Sequence, residues 1–432
     1  MDWVVDFERK ITQQETSKEW GKRSIYRVPA STKKLHKEAY IPLEVSFGPY
    51  HCEEQELKKK MDEHKRRALH HFLDNSKKSL KTYVNELQKD VNSLMESYDS
   101  LDVKYWKEDI FLQMMLLDGC FMLEILRANE EITKPGNTYG MYDNAKDPIF
   151  SYHGKVYMMP HFRRDMLMLE NQLPMLLLHK LLSLEGVIEG DQVNYLNKLI
   201  FNFVNPRYHL PSDDSFLHVL DLYRKSLLGN GQSLPPTKMK PPGNTQNAAD
   251  IVRSAEKLHE AGIDFKSSQN KSIMDISFDC GKLKLPTIVV DDMTESTFLN
   301  LMVFERLHVG AGNEVTSFVS FMDNIIDTAN DVRILHSCGI IHNAVGSEKA
   351  VANIFNGISK DLTPDPEGRL EKVHDELDGY CNIARNAYRA HLKRNYFKNP
   401  WALISLLAAI ILMMLTIAQT IYSIIGYHHP TK

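Results

Sequence analysis

The chain has 432 residues, of which 52 are lysine or arginine and 56 are aspartate or glutamate, so its formal net charge is −4. A chain this close to neutral lacks the basic surface that holds phosphate backbones, which argues against a nucleic-acid-binding protein. Hydrophobic residues make up 43% and charged residues 25%, an ordinary globular composition that excludes an intrinsically disordered chain.

The cysteines are too few for a disulfide scaffold, and no two of them form a CxxC motif. They are Cys52, Cys120, Cys280, Cys338 and Cys381. Their odd number and wide spacing predict reduced thiols in a cytosolic protein, with an extracellular domain of few disulfides as the alternative. The first twenty residues carry only a three-residue apolar run and no basic run before it, so a secretory signal peptide is not expected.

The amino-terminal third is predicted to combine a polar start, an extended segment and two helices. Residues 1–24 are polar and predict a variable segment, whereas residues 25–51 contain three prolines and a glycine, which favour an ordered extended segment over a helix. Helices are predicted over 53–94 and 105–127. The second is apolar on nearly every face, which is typical of a helix at the centre of a core.

The middle of the chain predicts a hairpin followed by helices. Residues 149–158 alternate around His153-Gly154, which predicts a short β-hairpin. A helix near 161–185 follows, and Pro174 is expected to kink it or divide it in two. Two further helices are predicted, at 191–204 and 213–228.

The second half begins with a linker and is otherwise helix-rich. Residues 229–249 hold four prolines and three glycines, which predicts a flexible linker within the domain spanning 25–397. Residues 273–291 are typical of a β-hairpin with its turn at Cys280-Gly281. Further helices are predicted at 248–261, 295–309, 315–329, 347–360 and 367–397. The predicted fold class is therefore α+β, predominantly α-helical with short β-hairpins and one C-terminal transmembrane helix.

The carboxyl-terminal region predicts that transmembrane helix at 400–425, followed by a short tail, 426–432. Residues 401–425 carry no charge, and 25 residues at about 1.5 Å each exceed the ~30 Å hydrocarbon core of a bilayer. Only Lys432 follows the span, whereas several basic residues precede it, so the positive-inside bias predicts a tail-anchored, single-pass protein with its bulk in the cytosol. These flanking residues are Arg385, Arg389, Lys393, Arg394 and Lys398.

No standard catalytic signature is present in the sequence. The P-loop, HExxH, GxSxG and Rossmann GxGxxG patterns are all absent, so neither a cofactor nor a metal site is predicted. The expected partners are the lipid bilayer and an unidentified protein. The one glycosylation sequon, at Asn270, matters only if the domain lies outside the cell.

Three acidic residues lie in unusually apolar surroundings. Asp118 lies within MMLLDGCFML, and Asp165 and Glu170 lie within RRDMLMLENQLPMLLL. An isolated buried charge is costly, so these carboxylates must be paired, and Arg163 and Arg164 are the nearest candidate partners. One hypothesis is a pair of acids with shifted pKa values that serve as acid and base. The favoured hypothesis is a polar network that fixes how central helices pack, because no nucleophile or metal motif accompanies the acids.

Seven blocks of sequence, in order, resemble a plant family called domain of unknown function 247, also known as uncharacterised protein family 0481. They extend over about residues 25–427 and are IYRVP, YIPLEVSFGPYH, MMLLDGCFMLEIL, LMLENQLPMLLL, EAGIDFK, LPTIVVDD and YFKNPWALISLLAAIILMMLTIAQTIYSIIGY. The resemblance includes the closing membrane segment of the family.

The resemblance implies a plant protein without an established enzymatic activity. Family members lie in the self-incompatibility loci of grasses, where they are proposed as recognition determinants. The leading hypothesis is therefore a non-enzymatic, membrane-anchored protein that recognises or signals to protein partners, at the plasma membrane or an endomembrane. The alternatives are an enzyme of unrecognised type that uses the buried carboxylates, and an extracellular recognition domain.

Overall fold

A computed structural model of the chain describes residues 3–4, 7, 20–102, 104–133, 147–186, 191–212, 215–229, 253–361, 369–383 and 400–428. Within these ranges helices dominate and strands are few and short. The predicted linker at 229–249 lies outside the described residues except for Gly229, and most of the predicted variable segment, 1–24, lies outside them as well.

The helices of the first half surround one long central helix. They are α1 (Ala30–Leu35), α2 (Gln55–Ser76), α3 (Leu80–Gln88), α4 (Val91–Glu96), α5 (Glu108–Thr133), α6 (Tyr152–Met166), α7 (Met175–Glu185), α8 (Gln192–Val204) and α9 (Val219–Leu228). Helix α5 packs against α2, α3, α6, α7 and α8. It is buried almost continuously from Phe111 to Ala128, so the predicted central core helix is confirmed.

The second half alternates short strands with helices. The helices are α10 (Ala255–Glu260), α11 (Thr294–Leu307), α12 (Glu314–Ile325), α13 (Ala329–Ser337), α14 (Glu348–Ile358), α15 (Arg369–Cys381) and α16 (Pro400–His428). The strands are β1 (Asp264–Ser267), β2 (Ser277–Asp279), β3 (Lys282–Leu285), β4 (Ile288–Val290) and β5 (Ile341–Asn343).

The strands form two small sheets. Strands β2 and β3 make the predicted hairpin, with Asp279 opposite Lys282 and the turn at Cys280-Gly281. Both turn residues have positive φ, 48° and 77°, as the twist of a two-residue hairpin requires. Strand β1 joins this hairpin in parallel, and β4 pairs in parallel with β5. These parallel pairings were not predicted, because each joins strands that are separated along the chain by other elements. Strand β2 lies between β1 and β3, and helices α11, α12 and α13 lie between β4 and β5.

The predicted hairpin at 149–158 is wrong, because this stretch is the start of α6. Ser151 caps the helix by accepting a hydrogen bond from Gly154 N at 3.1 Å. A Cβ atom on Gly154 would lie 2.4 Å from the carbonyl oxygen of Pro148 and 2.5 Å from that of Ile149. Gly154 therefore permits a close approach between a helix and the turn before it, and it does not form a hairpin turn.

Two predicted long helices are divided in the structure. The 53–94 region forms α2, α3 and α4, with Lys77 in the left-handed conformation at the end of α2. The 161–185 region is divided at Pro174, which stands immediately before α7, and a single turn of 3-10 helix, Leu169–Asn171, lies between α6 and α7. The second of the two outcomes expected for Pro174 is thus confirmed.

Candidate functional site

Asp165, at the end of α6, is completely buried and binds three consecutive backbone amides. Its Oδ1 accepts a hydrogen bond from Leu43 N at 3.0 Å, and its Oδ2 accepts from Glu44 N at 2.8 Å and from Val45 N at 3.0 Å. Arg164 Nη1 lies 3.3 Å from Oδ1. Burial raises the pKa of Asp165, and the amides and Arg164 oppose that rise. The carboxylate thus accepts the hydrogen bonds that the amides of residues 43–45 would donate to a neighbouring strand in a sheet.

Asp118, near the middle of α5, is buried against a lysine and a second stretch of the same extended segment. Its Oδ1 lies 2.6 Å from Lys65 Nζ, and its Oδ2 accepts a hydrogen bond from Gly48 N at 2.8 Å. Lys65 also donates to the carbonyl oxygen of Ser46 at 2.6 Å. Burial raises the pKa of Asp118, and Lys65 opposes that rise. This ion pair joins α2 to α5 and holds residues 46–48 between them.

Glu170 lies in the 3-10 turn after α6 and is the acid with the most charged partners. Its Oε1 accepts a hydrogen bond from Val28 N at 2.7 Å, and its Oε2 lies 2.6 Å from Lys33 Nζ and 3.1 Å from His51 Nε2. Burial acts to raise the pKa of Glu170, but His51 and Lys33 outweigh it and hold the pKa below its usual range. Glu170 is therefore a charged carboxylate.

Two amide side chains next to Glu170 complete the network. Asn171 Oδ1 accepts from Phe47 N at 2.7 Å, and its Nδ2 donates to the carbonyl oxygen of Val45 at 3.0 Å. Gln172 Nε2 donates to the carbonyl oxygens of Met166 and Met168 at 2.6 and 2.7 Å. Sequence reasoning centred on the acids missed both residues. The available signal was three consecutive polar residues, ENQ, inside an apolar run.

Gly48 lies where this network is most crowded. Its φ is +72°, and a Cβ atom there would lie 2.9 Å from Tyr98 Oη and 3.0 Å from the carbonyl oxygen of Gln172. Tyr98 Oη donates to that same carbonyl at 3.0 Å. Only glycine tolerates both this conformation and this close approach.

The three acids bind one common target, which is the backbone between residues 28 and 48. No hydrogen bond within the described ranges joins one of the acids to another, and each is occupied by amides or cations of its own chain. Arg164 contacts Asp165 as expected, but Arg163 contacts none of the three. In the part of the chain that the structure describes, no group of three His, Cys, Asp or Glu side chains is placed to hold a metal ion.

The remaining sequence candidates are separate from this network. Asn270 is exposed on the loop after β1, so its side chain is accessible. The five cysteines are free thiols, and burial raises the pKa of Cys52 to about 11. The membrane-flanking basic residues lie outside the described residues; they are Arg385, Arg389, Lys393, Arg394 and Lys398.

Helix α16 contains the most apolar exposed surface of the described chain. Its segment Ile404–Ile425 has 22 residues and a mean hydropathy of 2.3. None of the most apolar stretch of this segment is buried against the rest of the chain. Two of its polar side chains bond to their own helix, with Thr416 Oγ1 donating to the carbonyl oxygen of Leu412 and Thr420 Oγ1 to that of Thr416, both at 2.8 Å. It is the one helix, among the residues described, that is long and apolar enough to cross a membrane.

Comparison with known proteins gives a family and two relatives. The model of the family DUF247, described as plant protein of unknown function, matches residues 25–415. A UPF0481 protein of Arabidopsis thaliana is 30% identical over 446 residues, covering 95% of this chain and 89% of the relative. A putative UPF0481 protein of the same plant is 21% identical over 523 residues, covering 96% of this chain and 93% of the relative. No solved structure matches the chain.

Proposed function

The chain belongs to DUF247, a family of plant proteins of unknown function, and from this premise we propose that it is a membrane-anchored protein that recognises a protein partner at a membrane surface. The observation that carries the anchor is the unburied apolar segment of α16, Ile404–Ile425. Its 22 residues extend about 33 Å at 1.5 Å per residue, enough for a ~30 Å hydrocarbon core. If this apolar surface were exposed to water, the chain would aggregate.

The proposed orientation places the folded domain in the cytosol. Five basic residues between 385 and 398 directly precede the apolar segment. Basic residues close to a span are retained on the cytoplasmic side. The free thiols of the five cysteines agree with a reducing compartment.

A binding role is supported over catalysis by the state of the buried acids. The oxygens of Asp118 pair with Lys65 and a backbone amide, and those of Asp165 accept hydrogen bonds from backbone amides. The oxygens of Glu170 accept from Val28 N and pair with Lys33. A general acid or base needs an oxygen within hydrogen-bond reach of a substrate. Because their oxygens are occupied, we infer that the acids stabilise the fold and that the exposed surface of the domain binds the protein partner. Grass self-incompatibility, with which the resemblance associates some family members, is one process in which we propose such recognition.

The experiment is a topology measurement on sealed plant microsomes. The full-length chain carries an amino-terminal tag, and protease digestion of the tag is scored together with glycosylation of Asn270. We expect a digested tag and an unmodified Asn270. The variant Asn270→Gln identifies any glycan at that site, and detergent-opened microsomes confirm that a protected tag is cleavable.

A protected tag with a glycan on Asn270 would overturn the orientation and make the chain an extracellular recognition protein. Recovery of the chain in the soluble fraction would overturn the anchor itself. The recognition role is tested separately, by crosslinking the full-length chain in intact membranes. Failure to crosslink any protein, under conditions that capture a known membrane complex, would contradict it.

A further inference from the structure

Residues 23–26 lie outside any helix and are fastened to the first half of the fold through their backbone. The amides of Ser24 and Ile25 both donate to the carbonyl oxygen of Ser97 at 3.0 Å, and Asp99 N donates to the carbonyl oxygen of Ile25 at 2.8 Å. These bonds join the segment to the loop that follows α4. On its other side the segment meets two histidines, one from α9 and one from α11.

The first of these, His218, joins the segment to the amino terminus of α9. It is completely buried, and its Nε2 lies 3.0 Å from the carbonyl oxygen of Ser24. Its Nδ1 accepts a hydrogen bond from Asp221 N at 3.2 Å and thereby caps α9. A ring that donates through Nε2 and accepts through Nδ1 is a neutral imidazole, because the protonated ring has two donors and no acceptor. Both bonds therefore require that His218 is uncharged.

The second histidine, His308, directly follows α11 and contacts the same segment. Its Nδ1 lies 3.0 Å from Tyr26 Oη, which donates to the carbonyl oxygen of Arg23 at 2.7 Å. Both imidazole rings pack on Phe304, whose ring centre lies 5.0 Å from that of His218 and 5.2 Å from that of His308. One aromatic ring of α11 thus supports both histidines that contact residues 23–26.

The surroundings of His218 oppose its protonation. Burial lowers the pKa of His218 to about 4, and His308 and Lys225 add to this effect while Asp221 opposes it. The titratable and charged groups that face the two histidines are Arg23 and Tyr26 of the segment, Asp221, Lys225 and Arg224 of α9, and Glu305 of α11, which pairs with Arg224. Asp221 Oδ2 already accepts a hydrogen bond from Leu217 N at 3.0 Å.

We propose that His218 is an acid-sensitive latch, which holds residues 23–26 against α9 and α11 at neutral pH and releases them as the pH falls toward 5. Protonation of Nδ1 removes the acceptor of Asp221 N, turns one N–H donor toward another and places a charge in the core. Once the segment is released, water reaches the ring and solvates that charge. The chain then has two conformations between which the acidity of its surroundings selects.

The size of the effect follows from the proton affinity of His218 in the held and the released states. Its pKa is about 4 when held, against an ordinary value of 6.5, so the released state binds more protons between these values. The held state is therefore fully favoured above pH 6.5 and loses stability as the pH falls below it. At pH 5 the equilibrium should lie about twentyfold further toward release than at pH 7.

The test compares hydrogen–deuterium exchange at pH 7 and pH 5, measured by mass spectrometry on the full-length chain in a neutral detergent. After correction for the intrinsic exchange rate, the amides of Ser24, Ile25 and Asp99 should lose about twentyfold in protection at pH 5. The buried stretch of α5, 111–128, should lose less than about threefold. At pH 5 Glu170 keeps its charge, because its pKa lies below 4.5.

Variants identify the group that responds to pH. His218→Asn keeps an acceptor for Asp221 N but cannot bind a proton, so the pH dependence of Ser24 and Ile25 should disappear. His218→Gln, which keeps a donor toward Ser24, replaces it if the first variant does not fold. His179→Gln is the matched control, because burial also lowers the pKa of His179, which lies on α7, and this variant should respond like the wild type.

Three results would overturn the proposal. The first is equal protection of Ser24 and Ile25 at pH 7 and pH 5, and the second is an equal loss of protection in α5, which would indicate global unfolding. The third is a pH dependence that survives the loss of the His218 imidazole, which would assign it to another group such as His51 beside Glu170. The first two need only the wild type, so they decide the proposal even if no variant folds.

Discussion

Asp165 illustrates how a single buried charge is tolerated in this protein. A carboxylate without partners in the core would cost several kcal/mol, but here three amides and one guanidinium surround it. The same amides belong to residues 43–45, which pair with no strand in the part of the chain that the structure describes, so Asp165 provides their acceptors. The hydrogen bonds between them therefore offset the desolvation cost of the carboxylate and also that of the backbone amides.

Asp165→Asn should destabilise the fold by about 2–4 kcal/mol, because the new amide group turns an N–H donor toward the N–H donors of residues 43–45. Chemical denaturation of the full-length chain in detergent measures this change. Asp62→Asn is the control, because Asp62 makes only an exposed pair with Arg66, and it should change stability by less than about 0.5 kcal/mol. An Asp165→Asn protein of wild-type stability would contradict the structural role and revive the hypothesis of a catalytic acid.

Glu170 should make the stability depend on pH on the acid side. Its folded-state pKa is held below the ordinary value of 4.5, so its contribution is complete above that value and is lost as the pH falls through the lower folded-state pKa. Glu170→Gln should therefore lower the free energy of unfolding at neutral pH, and the difference from the wild type should shrink below about pH 4.5.

The measurement is a series of urea denaturation curves from pH 3 to pH 7. Glu96→Gln serves as the comparison, because Glu96 makes an exposed pair with Lys22 and should give a nearly pH-independent offset. A constant difference between Glu170→Gln and the wild type over the whole range would show that the ionised form of Glu170 is not what stabilises the fold.

At the residue scale, sequence reasoning located the three acids and anticipated that they would be paired. It named Arg164 correctly for Asp165 but also offered Arg163, which stands over Phe203 instead. The main partners, the amides of residues 28 and 43–48, were not predictable. They lie at least seventy positions from their acids along the chain, and a backbone amide leaves no mark in the sequence.

At the scale of elements, the extended segment 41–51 is the feature around which the first half is organised. Among the described residues no strand pairs with it, and side chains of α2, α5, α6 and the 3-10 turn form hydrogen bonds with its backbone. Its prolines and Gly48 explain why it is neither helix nor strand. The extended conformation was predicted for all of 25–51. The prediction is wrong for the first part of that range, where α1 (Ala30–Leu35) and a 3-10 turn, Lys37–Tyr40, are formed.

Gly154→Ala should destabilise the fold, because its Cβ atom would lie 2.4 Å from a backbone oxygen that cannot move aside cheaply. The expected loss is about 1–3 kcal/mol, measured by thermal or chemical unfolding. Gly379→Ala, in α15, is the matched control: nothing lies within 4 Å of its Cβ position, and alanine should stabilise that helix by about 0.5–1 kcal/mol. Equal effects of the two changes would contradict the close packing at Gly154.

The close packing at Gly154 also explains why the hairpin predicted at 149–158 is wrong. Alternation around a glycine is common to a hairpin turn and to a helix whose first turn is closely packed, and only the carbonyl groups of Pro148 and Ile149 distinguish them here. The hairpin at 277–285 was correctly predicted, because the residues of a two-residue turn are themselves the signal.

At the scale of the whole molecule, the proposed anchor predicts a clear partition. Met414→Arg with Leu415→Arg should move the chain out of the membrane fraction, because each arginine at the centre of a span costs about 2.5–3.5 kcal/mol. Alkaline carbonate extraction measures the partition. Leu35→Arg with Leu43→Arg is the control, because these residues are 52% and 50% exposed on the folded part. A membrane-bound double variant in α16 would show that another region holds the chain there.

The sequence by itself determined the helix-rich class, the central core helix, the family and the apolar carboxyl-terminal helix. These follow from composition, periodicity and length, which are properties of a single stretch of chain. Only the tertiary structure decided the partners of the buried acids and the parallel pairings of β1 and β4. Each of these depends on contacts between residues distant along the chain, and their energy exists only once the core has brought them together.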